Sequence, residues 1–268
     1  RVLFRSRLGM HGANLIVESA KGECNYGQHE IAFRYEDALR TCDNHSVYKM
    51  GAKEIASQMG QSLTFMAKFN EREGNSCHIH LSFRDKKGNP ILAGEAGDGL
   101  SKAGRAYIAG IQKHMRELTL LFAPNINSYK RYQAGTFAPT AIKWGRDNRT
   151  CALRLVGQGQ SLRVENRVPG GDVNPYLAVA GMVAAGLSGI EENAELEPIF
   201  QGNAYALETD RVPTSLREAR DLWANSSWVR DTFGEDVQKH YTHMADTELD
   251  AFGRAVTDWE RFRSFERM

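Results

Sequence analysis

The chain has 268 residues, of which 41% are hydrophobic and 25% are charged, and its formal net charge is +1 at pH 7. This composition is that of an ordinary globular protein, and it excludes a fibrous or intrinsically disordered chain. The 34 basic residues are scattered among 33 acidic ones without forming a basic block, so we expect no nucleic-acid partner.

The first two predicted elements are a turn-containing segment and a helix. Glu23 and Glu30 lie on either side of Gly27, which permits a turn or a bulge. Residues 43–59 carry apolar side chains at helical spacing, and Asp43 is a suitable first cap. The apolar positions are Val47, Met50 and Ile55, and Gly60 stands where the helix would end.

A strand with two different faces is predicted from Ser76 to Phe83, because its side chains alternate with a period of two. Its apolar face consists of Cys77, Ile79, Leu81 and Phe83, and its polar face consists of Ser76, His78, His80 and Ser82. A helix is predicted next, from about Asp98 to Leu121. Its buried side should contain Leu100, Ala103, Ile108, Ile111, Met115 and Leu118, with the polar residues facing outward.

Two further strands place charged residues on one face. Along residues 151–156, Cys151, Leu153 and Leu155 lie on one face and Arg154 lies on the other. Residues 162–168 alternate in the same way. In the second strand the polar face reads Arg163, Glu165, Arg167, so a carboxylate lies between two guanidinium groups. We expect these polar faces to converge on the polar face of the strand at 76–83.

The C-terminal part of the chain predicts helices. Asp172 can cap a helix with Pro175 in its first turn. Its apolar stripe, which should pack against a sheet, comprises Leu177, Ala180, Val183, Ala184, Leu187 and Ile190. Residues 235–265 predict one long helix or two joined helices.

The element order predicts an α+β fold built on an antiparallel sheet, because strands and helices do not alternate regularly. Neither a GxGxxG nor a GxxxxGK[ST] motif is present, which excludes a Rossmann or P-loop fold. No linker, repeat or low-complexity stretch interrupts the chain, so we expect one domain spanning residues 1–268.

Four cysteines indicate a reducing compartment, since they form no CxxC pair and no tight disulfide framework. With no secretory signal ahead of them and no apolar run of the ~20 residues that span a bilayer, we expect a cytoplasmic protein without a membrane partner. Cys77 beside His78 could suggest zinc, but no second cysteine–histidine pair has suitable spacing.

Convergence of the polar strand faces would combine carboxylates, imidazoles and guanidinium groups. Carboxylates with only one or two histidines suit Mg²⁺ or Mn²⁺ better than zinc, and arginines suit phosphate or carboxylate groups. This mixture favours phosphoryl transfer. The alternative is structural, because an Arg-Glu-Arg alternation can be a solvated ion-pair ladder and an HxH pair can be satisfied within the fold.

Five motifs in a fixed order resemble the glutamine synthetase catalytic domain. They are GQHE, NSCHIHLS, NSYKR, GRDNRTCALR and LRVENRVPGGDVNPYLAVAGMVAAGLSGI, and the resemblance extends from about Gly22 to the final helix. It implies a curved antiparallel sheet flanked by helices. It also implies an ATP-dependent carbon–nitrogen ligase, in which glutamate is phosphorylated on its γ-carboxylate and an amine then displaces the phosphate.

The resemblance also implies roles for individual residues. Glu23 and Glu30 match ligands of one divalent metal, Mg²⁺ or Mn²⁺, and His78 and Glu165 match ligands of the second. The ATP-binding set implied is His80, Ser82, Arg149, Arg154 and Arg163. The glutamate-binding set is Gly74, Arg131, Arg149 and Arg167, with Arg131 and Arg149 also assigned to catalysis. Glu73 stands before Gly74 where the family has asparagine, and it is a candidate substitute base.

Phe137 marks a departure from true glutamine synthetases, which carry a glutamate at that position to bind ammonium and take its proton. A phenyl ring cannot remove a proton, but it can line a channel for an alkyl chain and face a cation. Phe137 could also be a simple apolar filler of a loop. We therefore expect a primary amine larger than ammonia, a polyamine or an amino alcohol, and the sequence resembles the branch that makes γ-glutamyl-polyamine or γ-glutamyl-ethanolamine conjugates.

The family's small N-terminal β-grasp domain and a strand bearing an ExE pair of metal ligands have no counterpart in this chain. Family sites form between subunits of stacked rings, so we expect a ring-forming homo-oligomer. Three alternatives remain open at this point: a glutamine synthetase that uses ammonia, a catalytically silent structural relative, and a guanidine-kinase relative.

Overall fold

Residues 2–267 are described by the computed structural model, and they form helices and strands without regular alternation. In chain order these are α1 (Val2–Gly12), β1 (Val17–Gly22), β2 (His29–Phe33), α2 (Ala38–Gln58), β3 (Ile79–Leu81), α3 (Lys102–Phe122), α4 (Ile126–Tyr129), β4 (Ala141–Arg146), β5 (Cys151–Val156), β6 (Arg163–Asn166), α5 (Pro175–Glu191), α6 (Leu216–Asn225), α7 (Ser227–Phe233), α8 (Glu235–Arg254) and α9 (Asp258–Ser264). The predicted 235–265 segment is thus two helices. Helices α1, α4, α6 and α7 and strand β4 were not predicted.

The strands form two separate sheets. β1 and β2 make an antiparallel hairpin, with Gly27 at φ +69° in the connecting turn, as expected of that glycine. The second sheet has the order β3-β6-β5-β4, and β6 is antiparallel to both of its neighbours. β4 pairs parallel with β5, which is an exception to the expected antiparallel sheet within a confirmed α+β fold. The burial of β4 does not alternate with a period of two, so no sequence pattern identified this strand.

The polar and apolar faces of the site strands are those that the sequence predicted. Ile79 and Leu81 pack against the main core from β3, and Leu153, Leu155 and Val164 lie within that core from β5 and β6. The polar residues between them therefore project from the opposite face of the sheet. This arrangement places the charged side chains of three neighbouring strands side by side.

Two predicted helix caps were wrong. The α2 cap is Asp37, whose side chain accepts from the Arg40 amide at 3.0 Å, so Asp43 lies within the helix. Ala38, Leu39 and Cys42 between them stand at helical spacing, so the apolar pattern extends to the actual cap. The α5 cap is Asn174 and not Asp172. Because Pro175 occupies the first helical position, the residue immediately before it must serve as the cap.

The buried face of α5 lies on the opposite side of the helix from the predicted stripe. It consists of Ala178, Gly181, Met182, Ala185, Gly186 and Gly189. Leu187 is 49% exposed, and α5 packs against α3 and α2 and not against a sheet. Small residues form the contact because the α3 and α5 backbones meet directly: a Cβ added to Gly110 would lie 2.8 Å from Gly189 Cα. Close backbone approach, which larger side chains would prevent, selects the buried face here.

We expect Gly110→Ala to destabilise the protein by about 1–3 kcal/mol, because the new methyl group meets backbone atoms of α5 that cannot move aside. This steric cost exceeds the gain of up to ~1 kcal/mol that alanine brings inside a helix. Gly253→Ala is the matched control, since Gly253 lies in α8 with no atom within 4 Å of an added Cβ. Thermal unfolding measures both variants, and equal or higher stability of the Gly110 variant would contradict the contact.

Helix α3 is the centre of the main core. It is buried along most of its length and contacts α5, α6 and β4. The predicted buried positions Ile108, Ile111, Met115 and Leu118 are all buried, but His114 is buried as well and stacks on Trp228 with ring centroids 3.7 Å apart. Between residues 2 and 267, no helix has both the length and the apolarity that crossing a membrane requires.

Candidate active site

Glu165 is the centre of a charged cluster on the polar face of the second sheet. It is paired with His80 on β3 and with Arg154 on β5 in the strand register, so the three side chains form one row across the sheet. Its Oε2 accepts from Arg154 Nη1 at 2.9 Å and its Oε1 from Arg167 Nη1 at 2.8 Å. Nδ1 of His78 lies 3.1 Å from the same Oε1. The predicted convergence of the polar strand faces is therefore present.

The cluster keeps Glu165 ionised although its side chain is only 2% exposed. Burial by itself would raise the pKa of this carboxyl, but the contact with His78 and the positive charge of Arg167 hold its pKa far below the ordinary value. Burial lowers the pKa of His78 to about 4 against the opposing pull of Glu165. His78 is therefore neutral at physiological pH, the form in which an imidazole nitrogen can bind a metal.

His78 also has a nitrogen available for a further partner. Its Nε2 is buried and has no hydrogen-bond partner, whereas its Nδ1 faces Glu165. A buried polar atom without a partner is unusual and indicates a group that the fold alone does not supply. The unpaired Nε2 thus fits the predicted metal-ligand role of His78.

The nucleotide-assigned residues occupy the outer part of this cluster. Arg163 Nε approaches His80 Nδ1 at 3.3 Å, and Arg154 also binds Asp147 through its Nε at 2.8 Å. The Ser82 side chain is exposed on the same strand face and makes no hydrogen bond within the described chain. These groups present two guanidinium groups, an imidazole and a hydroxyl toward solvent.

Glu23 and Glu30 come together on the β1–β2 hairpin and not in the Glu165 cluster. Both carboxylates bind the Lys21 ammonium, with Nζ···O distances of 3.0 and 3.2 Å. The two side chains can therefore share one cation, which fits their predicted role. Among residues 2–267, no three His, Cys, Asp or Glu side chains are grouped so that they could hold a metal ion.

Hydrogen bonds join the β1–β2 turn to the loop that precedes β3. Asn25 donates to the Glu73 carbonyl at 2.9 Å, and Gln28 donates to the Gly74 carbonyl at 2.9 Å. Gly74 in turn packs on Arg131, because an added Cβ would lie 2.7 Å from Arg131 Cγ. The loop that precedes His78 is thereby fixed between the side-chain amides of the hairpin turn and Arg131.

Arg131 is buried, with only 1% of its surface exposed. Its Nη1 donates to Ser76 Oγ at 2.9 Å and its Nη2 donates to the Val168 carbonyl. In this conformation both terminal nitrogens are bound to the protein. Each terminal nitrogen carries two N–H groups, so it can bind a glutamate carboxylate with its second N–H or by leaving its present partner.

The backbone carbonyls of Arg149 and Phe137 both contact the Arg167 guanidinium. Arg167 Nε donates to the Arg149 carbonyl at 3.2 Å, and Arg167 Nη2 donates to the Phe137 carbonyl at 3.2 Å. The Arg149 side chain is exposed and makes no hydrogen bond within residues 2–267. Phe137 has φ +61° and a ring that is 56% exposed, so a left-handed residue directs an apolar side chain outward beside the cluster.

Sequence reasoning missed several residues that organise this site. Asp147 binds Arg154, Lys21 joins the two hairpin glutamates, and Asn25 and Gln28 fix the loop. The sequence offered a signal for two of them. Lys21 and Glu23 flank Gly22, and Asp147 directly precedes Asn148 and Arg149 in the GRDNRTCALR motif. The hydrogen bonds of Asn25 and Gln28 cross more than 40 residues and carry no local signal.

Residues 5–264 match the family model described as glutamine synthetase, catalytic domain. The chain is 64% identical to the gamma-glutamylethanolamide synthetase of Streptomyces coelicolor, over 100% of this chain and 57% of that protein. It is 37% identical to a glutamate–isopropylamine ligase from Pseudomonas sp., over 95% of this chain and 57% of that protein. The chain thus spans a little over half the length of these curated relatives.

A solved structure named as a complex of GmaS with ADP is similar throughout. It superimposes with a TM-score of 0.91 at 30% sequence identity, and the match covers 99% of this chain and 63% of that one. Apo GmaS matches with a TM-score of 0.90. The similarity therefore includes the fold of both sheets.

Proposed function

Because this chain belongs to the glutamine synthetase family, as a catalytic domain, we propose that the full-length protein is an ATP-dependent ligase that joins the γ-carboxyl group of glutamate to a primary amine larger than ammonia. Residues 1–268 are one domain in this proposal. The observation that carries the choice of amine is the exposed Phe137 ring beside the cationic cluster. The names of the two curated relatives support the same choice, since both act with organic amines.

The arginines of the cluster bind the groups that carry negative charge during phosphoryl transfer. Arg154 and Arg163, with His80 and Ser82, are placed to receive the ATP phosphates. Arg149, whose guanidinium has no protein partner among the described residues, reaches the transferring phosphoryl group. Fixed guanidinium groups stabilise developing charge without reorganising, which is the main requirement of this reaction class.

Divalent cations, when bound, neutralise phosphate charge. His78 with Glu165 would hold one, and Glu23 with Glu30 the other. The unpaired His78 Nε2 and the shared Lys21 ammonium support these assignments. Arg131 and Arg167 hold the glutamate carboxylates, and the backbone at Gly74 faces the amino-acid end.

The reaction proceeds in two stages under this proposal. The γ-carboxylate of glutamate takes the terminal phosphoryl group of ATP, and the amine nitrogen then attacks the acyl carbon so that phosphate leaves and an amide forms. Phe137 cannot accept the proton that the amine loses, so its role is to exclude water and to contact the alkyl part of the amine. Glu73, whose Oε2 is buried without a hydrogen bond, is the candidate base.

The active assembly is a ring-forming homo-oligomer in the cytoplasm under the same proposal. The incomplete metal-ligand groups support an assembly in which other parts of the protein, or neighbouring subunits, complete the site. The free state of Cys24, Cys42, Cys77 and Cys151 supports a reducing compartment.

Phosphate release by the full-length protein with ATP, Mg²⁺ and glutamate tests the proposed reaction. Ammonium, ethanolamine, isopropylamine, putrescine and spermine are supplied in turn, and omission of glutamate is the control. We expect at least one organic amine to exceed ammonium in kcat/KM by roughly tenfold or more, a difference of ~1.4 kcal/mol in transition-state binding. Release with ammonium alone would make the protein a glutamine synthetase, and no glutamate-dependent release with any amine would favour a silent relative.

A further inference from the structure

Arg131 is a buried positive charge without a counter-charge in contact. Its Nη1 and Nη2 bind the uncharged Ser76 hydroxyl and Val168 carbonyl, and its Nε is buried without any partner. Among residues 2–267, no Asp or Glu forms an ion pair with it. A buried guanidinium without a compensating negative charge carries a large desolvation cost, so a nearby carboxylate is expected.

Asp172 is a carboxylate with one oxygen unused. Its Oδ2 accepts from Asn125 Nδ2 at 2.8 Å and from Ser128 Oγ at 2.6 Å, at the start of α4. Its Oδ1 is buried and has no hydrogen-bond partner. Since α4 ends two residues before Arg131, the bonds of Oδ2 already fix the backbone that carries this arginine.

Gly170 lies beside both unpaired groups. A Cβ added to Gly170 would lie 2.6 Å from Asp172 Oδ1 and 3.8 Å from Arg131 Nε. The unpaired carboxylate oxygen and the unpaired guanidinium nitrogen are thus both within 3.8 Å of one point. A side chain at position 170 would meet the carboxylate oxygen there.

We propose that Asp172 is a positioning residue for Arg131, supplying the negative charge for its Nε across Gly170 while its other oxygen fixes the first turn of α4. This inference rests on the proposed function, in which Arg131 holds a glutamate carboxylate. Because Asp172 acts on the Nε side of the guanidinium, Nη1 and Nη2 remain able to exchange Ser76 and Val168 for substrate. The guanidinium therefore keeps its place while its two terminal nitrogens change partners.

Asp172→Asn tests this role in the full-length protein. Asparagine keeps an oxygen for Asn125 and Ser128 but removes the charge, so we expect the KM for glutamate to rise roughly tenfold while the KM for ATP is unchanged. Asp172→Glu should restore part of the affinity. The control is Asp98→Asn, because Asp98 combines a hydrogen bond from the Leu100 amide with an ion pair to Arg105 and contacts none of the residues assigned to the site. An unchanged KM for glutamate in Asp172→Asn would overturn the proposal.

A double-mutant cycle on thermal stability gives a result that does not depend on activity. The four proteins are the wild type, Asp172→Asn, Arg131→Gln and the double variant. We expect Asp172→Asn to lower Tm when Arg131 is present and to lower it much less in the Arg131→Gln background, because interacting residues are not additive. Equal Tm shifts in both backgrounds would mean that Asp172 only stabilises the start of α4, through Asn125 and Ser128, and does not act on Arg131. If the two substitutions were coupled in a protein that showed no ligase activity, the proposed function would be refuted while the interaction between Asp172 and Arg131 would stand.

Discussion

Replacement of Glu165 by glutamine is expected to lower kcat by a factor on the order of 100 to 1,000, the range measured for removal of a single preorganised electrostatic group. Glu165 is 2% exposed and is bonded to Arg154 and Arg167, so the substitution leaves two guanidinium groups facing one another without a negative charge between them. It also removes a carboxylate assigned to metal binding. Steady-state kinetics of the full-length protein, with saturating Mg²⁺, measure the loss.

The same variant is expected to be less stable by about 3–5 kcal/mol, the cost of breaking a buried ion pair by removing one partner. For a chain of this size, Tm should fall by about 2–4 °C for each kcal/mol. Asp147→Asn is the matched control. Asp147 binds the same Arg154 but is 72% exposed, and asparagine tolerates its left-handed φ of +49°. If Glu165→Gln behaved like this control in both rate and stability, the cluster would be an ion-pair ladder with no catalytic role.

Phe137→Glu is expected to shift the amine preference toward ammonium. A carboxylate at this position attracts a small cation and can accept its proton, whereas the phenyl ring can contact an alkyl chain and face a cation but cannot take a proton. The ratio of kcat/KM for ammonium to kcat/KM for the best organic amine should rise roughly tenfold or more. Rates of phosphate release with each amine measure this ratio.

Phe137→Gln separates charge from size in this experiment. All three side chains are unbranched at Cβ, so the left-handed backbone at φ +61° is strained to a similar extent in each variant. We expect the glutamine variant to lose activity with the organic amine without gaining activity with ammonium. An unchanged ratio in Phe137→Glu would place the amine site elsewhere and leave Phe137 as a filler of its loop.

The sequence predicted the strands of the site well because their side chains alternate strictly between core and polar face. His80, Arg154 and Glu165 were therefore assigned to one face, and the strand register places them in one row. The β1–β2 turn at Gly27 was also predicted from local sequence, because glycine permits the left-handed backbone conformation found there. Patterns with a period of two survive tertiary packing when one face of a sheet is buried.

Features that depend on contacts between distant segments could not be predicted in this way. The α5 stripe was predicted on the wrong face because glycines and alanines at the α3 contact are buried for their small size and not for their hydrophobicity. Arg131 was expected to face substrate, yet its present partners, Ser76 and Val168, are 55 and 37 residues away in sequence. The pairing of β4 with β5 joins neighbouring segments, but the burial of β4 does not alternate, so its side-chain pattern does not identify it as a strand.

The direct backbone contact between α3 and α5 also determines where this domain can move. At Gly110 and Gly189 there is no side chain between the two helices that could change rotamer and let one slide past the other. We therefore expect the central helix pair to be a rigid support, with any rearrangement in the segments attached to it. The polar loop before His78 and the left-handed turn at Phe137 are held by hydrogen bonds, so we expect them to open at a lower free energy than the helix pair.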